Sequence, residues 1–361
     1  MNSTFEFFNK LKNQQIELKD CKLQWQSPSN IALVKYWGKK EIQIPENLSI
    51  SMGLKNCFTQ TQMVAKCHQQ NKMALEYFFS NERHLLFETK VMTFLNHHVL
   101  PLMPFLSKLS LTFNSSNSFP HSAGIASSAS SMSALALCLM DLATKLFNLN
   151  LPTAEFFQHA SYLARLGSGS ACRSIYGGFS RWGELNENDG SNEYALKIEK
   201  IHPLFMGLKD TIVIVDSGPK EVSSSNGHKL MATHDYADQR YQRADKNAHF
   251  LIEVLEKGDM ENFGRIIESE AFDLHGLMMS SSTPFILLRP KTLEVIELVK
   301  QYRNENKTPI YFTLDAGPNV HLLYPPQFHS QISQELFSKI KSLDCPLIFD
   351  EIGNGPVKID G

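Results

Sequence analysis

The chain has 361 residues, a length that favours two domains at about 150 residues each, with 35 lysines and arginines against 37 aspartates and glutamates and a formal charge of −2. Hydrophobic residues make up 42% and charged residues 20%, with no block of like charges, so an extended nucleic-acid surface is excluded and a packed globular core is expected. The first residues mix charges with apolar side chains, the longest apolar stretch (Ala134 to Met140) is far short of the ~20 residues a bilayer requires, and the six cysteines form no C-x-x-C pair. We therefore expect no signal peptide, no membrane span, no zinc site and a cytoplasmic protein with reduced thiols.

In chain order, Ile31 to Trp37 is a short β-branched and aromatic run that reads as a strand, which places Lys35 and Trp37 on one face and Tyr36 on the other. Leu109, Leu111 and Phe113 alternate with polar neighbours and predict a second strand. A helix from Ile125 to about Phe147, apolar almost all round, is expected to be buried, and a second from Thr153 to Leu166 opens after Pro152. A polar stretch from Asn186 to Asn192 precedes a fresh apolar run, Ile212 to Val215, which puts a domain boundary near residue 205, giving domains 1–205 and 206–361. Leu230, Ala237, Tyr241, Ala244, Ala248, Leu251 and Leu255 then follow the spacing of one helix face. Helices at about 259–279, 290–305 and 328–342 flank strands at Ile310 to Leu314 and Val320 to Tyr324, so the second half is mixed α and β.

Four segments carry candidate chemistry. The loop SFPHSAGIASSASS, residues 118–131, leads from a strand into the buried helix; its small side chains leave backbone N–H groups open to an anion at a helix N-terminus. A tight packed turn is the plain alternative, and no Gly-Lys-Ser/Thr closes it as in a Walker loop. In GSGSACRSIYGGFSRW, residues 167–182, Arg173 sits among small residues where its planar fork can meet a carboxylate or phosphate, or else pair with a structural acid. Asp315, at a strand end before a Gly-Pro turn, either caps that turn or, beside an anion site, serves as base for a substrate hydroxyl. Lys35, Lys39 and Lys40 surround Tyr36 and Trp37 in NIALVKYWGKKE, residues 30–41, with Lys40 expected at a solvated edge.

Together and in this order these segments resemble the mevalonate diphosphate decarboxylase family of the GHMP kinase superfamily. The family patterns NIA-x-x-KYWGK, FPTAAGLASSAS, GSGSACRS-x-x-GGF and DAGPN are matched here, as is K-x-VSS-x-x-G by KEVSSSNGH at residues 220–228. GIASS in place of the kinases' GLGSS points to the decarboxylase branch. The resemblance implies an α+β GHMP kinase fold of two domains, a ribosomal-protein-like N-terminal half and a ferredoxin-like α/β sandwich C-terminal half, with the active cleft between them. It implies ATP-dependent decarboxylation of mevalonate 5-diphosphate with Mg²⁺, in a homodimer. Asp315 then becomes the base and Arg173 the carboxylate anchor. Tyr36, Lys39, Ser170, Ser223 and Ser224 contact the substrate, and Ser122, Gly124, Ser127 and Ser128 contact ATP. No separate metal cage is implied. Glu41, Lys40, Leu48 and His121 depart from the family pattern, the last two in segments expected to shape a pocket. Action on mevalonate or its monophosphate, or ligand sensing without catalysis, are alternatives on the same scaffold.

Overall fold

The computed structural model describes residues 3–14, 16–120, 125–186, 189–218 and 224–359. A short helix, α1 (Ser3–Lys12), precedes two long antiparallel strands, β1 (Cys21–Val34) and β2 (Ser49–Cys67). Along β1 Leu23 and Trp25 alternate with wetter neighbours, but from Ser27 onward every residue is buried because elements pack on both faces. The strands β3 (Ala74–Phe79) and β4 (Glu82–Arg83), the helix α2 (Leu85–Phe94) and β5 (Leu109–Asn117) follow, with β3 parallel to β5. Then come the helices α3 (Ser127–Leu146) and α4 (Thr153–Gly167), and the hairpin β6 (Phe179–Asn186) and β7 (Asp189–Lys197).

With β12 (Val357–Lys358) from the end of the chain, these strands form one sheet, ordered β12-β1-β2-β5-β3-β4, in which β6 pairs with the start of β2 and β7 extends it. The helices α1 to α4 close one face of it over a core that includes Phe8, Trp25, Phe113 and Leu139. By length and composition α3 would suit a bilayer, yet 72% of its apolar window is buried inside the protein, where a core helix belongs. Its Asp141 accepts from Trp25 Nε1 at 3.0 Å and Lys358 Nζ at 2.8 Å, which ties the helix to β1 and to its edge neighbour β12.

The second sheet is antiparallel, ordered β11-β8-β10-β9, from β8 (Lys209–Val213), β9 (Tyr311–Leu314), β10 (Val320–Tyr324) and β11 (Leu347–Glu351). Between β8 and β9 run α5 (Ser224–Leu230), α6 (Ala237–Lys257), α7 (Met260–Met279) and α8 (Pro290–Asn306). One face of this sheet packs with α6 and α7 against Ile31, Leu33 and Ile50 of the first sheet, and the other receives α8 and the helical stretch 326–341. The chain ends by returning: β12 (Val357–Lys358) pairs with Trp25 and Gln26 of β1.

Three expectations are corrected. The strand expected over Ile31 to Trp37 begins at Cys21 and stops at Val34, so strand alternation does not govern Lys35, Tyr36 and Trp37. The single helix face from Leu230 to Leu255 is interrupted at Met231–Thr233, because His234 turns inward, with Nε2 3.0 Å from the Leu277 carbonyl and Nδ1 accepting from the Tyr236 N–H. The stretch 328–342 is helical but carries a π turn over Ser333–Phe337.

Candidate active site

A cleft of about 900 Å³ opens where β1 ends, α3 begins and β9 delivers its turn, and its lining includes Asn30, Lys35, Tyr36, Lys39, Arg173 and Asp315. The corrected end of β1 explains this convergence. Once the chain leaves the strand at Val34 it is free of the two-face rule, and Lys35, Tyr36 and Lys39 all reach one space. Gly38, at φ 95°, makes the bend possible, and a Cβ there would collide with the Tyr241 hydroxyl.

Arg173 lies on a 3₁₀ turn, Gly169–Ile175, packed beneath α3 and α4. The double glycine that follows fits the fold, since a Cβ at Gly177 would strike the backbone of Asn354 in the returning C-terminal segment. The guanidinium is 2% exposed, donates through Nη1 to Ser49 Oγ, and lies 6.0 Å from the Trp182 ring. Its Nε has no hydrogen-bond partner, and among the described residues no carboxylate pairs with it. A buried cation left in this condition is costly unless an anion completes it.

Asp315 follows β9 and stays 28% exposed toward the cleft, with its backbone carbonyl accepting from His275 Nε2 at 3.1 Å. Lys35 Nζ sits 3.7 Å from Asp315 Oδ1 and donates to Thr313 Oγ1 at 3.0 Å and to the Ala32 carbonyl. Burial pulls the Lys35 ammonium down to about 8, with Arg173 and Arg240 adding to the fall and Asp315 and Glu270 opposing it. Glu270, fully buried, fixes this corner: it accepts the Lys35 backbone N–H at 2.9 Å and two donors of Arg240 at 3.0 and 2.6 Å.

At the other wall Tyr36 packs between Trp182 and His228, with ring centroids 4.7 and 4.4 Å away. His228 Nδ1 accepts the Gly38 N–H at 3.0 Å, and burial with the nearby Lys39 charge pushes the imidazole down to about 3, so it is neutral at physiological pH. Ser170, Ser127 and Ser128 also line the cleft, the last two in the first turn of α3 beyond the left-handed Ala126, φ 43°. Side chains of α2, among them Thr89, Lys90 and Thr93, extend the wall past this helix start.

The structure thus brings Asp315, Arg173, Tyr36, Lys39, Ser170, Ser127 and Ser128 together. Ser122, Gly124, Ser223 and the departing His121 lie outside the described residues, as does the side chain of Ser224. Lys40 is 61% exposed and pairs with Glu46 at 3.4 Å, the solvated edge expected of it. Leu48 does not shape the cleft: it is 2% exposed in the core between the sheets. Lys35, one of the three lysines singled out around Tyr36 and Trp37, stands beside Asp315, whereas Ser49 and Glu270 were not expected as site residues. No cluster of metal-ligating side chains occurs among the described residues.

Comparison with known proteins agrees along the length of the chain. Residues 27–195 match a diphosphomevalonate decarboxylase-like N-terminal domain and residues 211–349 a mevalonate 5-diphosphate decarboxylase C-terminal domain. A diphosphomevalonate decarboxylase of Ganoderma lucidum is 30% identical over 87% of this chain and 80% of its own. Among solved structures, the mevalonate diphosphate decarboxylase of Staphylococcus aureus is similar with TM-score 0.81 and 29% identity, covering 95% of this chain and 99% of that one. A complex of MDDEF with MVAPP, AMPPCP and magnesium is similar with TM-score 0.79 and 29% identity, covering 95% of this chain and 100% of that one.

Proposed function

This chain belongs to the diphosphomevalonate decarboxylase family, and from that premise we propose how its cleft converts mevalonate 5-diphosphate and ATP into isopentenyl diphosphate, carbon dioxide, phosphate and ADP. Its fold is the mixed α+β, GHMP kinase-type arrangement of those relatives. The observation that carries the assignment of roles is Arg173, a buried guanidinium with an unpartnered Nε beside a cleft that also holds Asp315. A substrate carboxylate supplies the missing anion. Arg173 orients rather than accelerates, because pairing the carboxylate stabilises the state that must shed its charge as carbon dioxide.

A tertiary 3-hydroxy acid has no electron sink for the bond that breaks, so the hydroxyl must first become a leaving group. Asp315 takes the hydroxyl proton as the oxygen attacks the terminal phosphoryl group of ATP, a role worth about 10²- to 10⁴-fold. The Lys35 ammonium, 3.7 Å from Asp315, orients that carboxylate and offsets negative charge as phosphate leaves. The C–C bond to the carboxylate then breaks, its electron pair forms the alkene, and the C–O bond to phosphate breaks in the same direction.

Tyr36, Lys39 and Ser170, with Ser223 and Ser224, are assigned to the substrate. Ser127 and Ser128, with Ser122 and Gly124, are assigned to the ATP phosphates at the α3 N-terminus. The hydroxyls of Ser127 and Ser128 are the hard oxygen donors that would face a Mg²⁺ bound with the nucleotide, and such an ion would supply neutralisation of phosphate charge. We assign the two domains to residues 1–205 and 206–361, which places Arg173 and Asp315 in opposite halves. A cytoplasmic homodimer is proposed with them, supported by the six free cysteines and by the family resemblance.

The experiment is a comparison of kcat/KM for mevalonate, its 5-phosphate and its 5-diphosphate with ATP and Mg²⁺. A preference of at least about tenfold for the diphosphate is expected, equivalent to ~1.4 kcal/mol in transition-state binding. A smaller preference assigns the cleft to a less phosphorylated substrate.

A further inference from the structure

Lys39 and Tyr36 share one partner. Lys39 Nζ donates to Gln43 Oε1 at 3.3 Å and the Tyr36 hydroxyl donates to the same atom at 3.2 Å. An ammonium carries only donors, so the amide atom facing it is the oxygen. Gln43 lines the same cleft as Arg173 and Asp315. Its backbone lies in the left-handed region, φ 57°, at the tip of a turn closed by the Ile44 N–H to the Glu41 carbonyl at 2.9 Å. Glycine fits that conformation best, so a glutamine standing there points to work for its side chain.

The turn is also anchored. Arg165, 2% exposed, donates through Nη1 to the Ile42 carbonyl at 2.6 Å, and through Nε and Nη2 to the Glu193 carbonyl and carboxylate at 2.7 and 2.6 Å. The backbone beside Gln43 is thereby held while the side chain's terminal torsion stays soft. Two donors converging on a single oxygen are what a phosphate oxygen requires, and an amide oxygen remaining between them would repel an arriving anion. A half-turn of that torsion exchanges Oε1 for the Nε2 amide and converts acceptor to donor.

We propose that Gln43 is a specificity-determining residue for the anionic end of the substrate. It holds Lys39 and Tyr36 on its own oxygen until a phosphate takes them over, and then turns its amide to donate to that phosphate. The proposal rests on reading the cleft as a diphosphomevalonate decarboxylase site.

Gln43→Glu keeps the shape and strengthens the pairing with Lys39, yet it cannot donate. Gln43→Gly removes the side chain and suits the left-handed turn, so folding is preserved. Inorganic pyrophosphate is titrated calorimetrically into each protein saturated with a non-hydrolysable ATP analogue and Mg²⁺, beside kcat and KM for mevalonate 5-diphosphate. Gln43→Glu is expected to weaken pyrophosphate binding and raise KM by about tenfold or more, with kcat and the KM for ATP within about twofold of the parent. Gln43→Gly is expected to weaken both by roughly threefold with thermal stability undiminished. Pyrophosphate binding by Gln43→Glu equal to the parent's, no binding by the parent, or a fall in kcat at constant KM overturns the proposal. A parent protein that binds pyrophosphate but does not turn over mevalonate 5-diphosphate contradicts the functional reading instead, and the pyrophosphate comparison still decides the role of Gln43.

Discussion

Lys35 carries its charge at pH 7 because Asp315 and Glu270 offset part of the cost of burying it, and its place beside Asp315 makes that charge useful. With the ammonium brought down to about 8 from an ordinary 10.5, folded and unfolded chains differ in proton binding between those values. The unfolded chain binds more protons there, so this group makes stability rise with pH across the window, while below it the whole cost of the buried charge is felt. Activity runs the other way. We expect kcat/KM to fall as pH rises through about 8 and Lys35→Arg, which stays charged, to remove that falling limb; an unchanged limb in the variant contradicts the assignment. Arg173→Lys keeps a charge but loses the fork, and we expect kcat/KM to drop by about tenfold or more, measured at saturating ATP. Asp315 and Arg173 were legible because each stands in a short motif whose neighbours are mostly small or turn residues. Glu270 and Gln43 were not, since Glu270 acts on a backbone N–H 235 positions away and Gln43 on side chains that only a turn brings near.

Among the elements, α7 does most to hold the reacting corner in place. Its Glu270 joins Arg240 of α6 to the backbone just past β1, all within the core. Replacing it with glutamine leaves the buried Arg240 guanidinium only the Asp273 carboxylate at 4.0 Å as counter-charge, and we expect a loss of about 3 kcal/mol in urea denaturation together with a lower kcat. Little change in stability would show that Arg240 finds another partner. Helix positions were read well where one apolar face recurs, as in α4 and α8, because periodicity is a local property. Strand β2 escaped notice: its inward side chains include Thr59 and Thr61, whose hydroxyls meet Ser130 and Ser115, so its buried face does not look apolar. The break before α6 escaped for a related reason, since a histidine satisfied by a distant carbonyl leaves the spacing intact.

For the whole molecule, the two sheets share one apolar core and a polar seam. Asp350 of β11 accepts the backbone N–H groups of Lys55, Asn56 and Cys57 in β2 at 2.9, 2.8 and 2.7 Å. Beside it Glu351 bridges Lys209 and Lys55, and hydrogen bonds from these two lysines hold its carboxyl below the usual carboxylate range. A carboxylate lowered in this way contributes stability above its unfolded value and loses it as pH falls through the folded one. We therefore expect the parent protein to lose more stability between pH 7 and pH 4 than Glu351→Gln does, by under about 1 kcal/mol given its partial exposure; equal losses in denaturant titrations would contradict this. The near-neutral net charge said nothing of this cleft, because its cations, Lys35, Lys39 and Arg173 among them, are few and gathered locally.

In our reading this cleft couples phosphoryl transfer to loss of the carboxylate, with Asp315 as the base. The coupling is tested most directly by measuring carbon dioxide and ADP together from mevalonate 5-diphosphate labelled at its carboxyl carbon, with the parent protein and with Asp315→Ala. The account predicts equal amounts of the two products from the parent, and from the variant a rate lower by about 10²- to 10⁴-fold with substrate affinity within about tenfold. ADP formed without carbon dioxide, or a variant as fast as the parent, contradicts it.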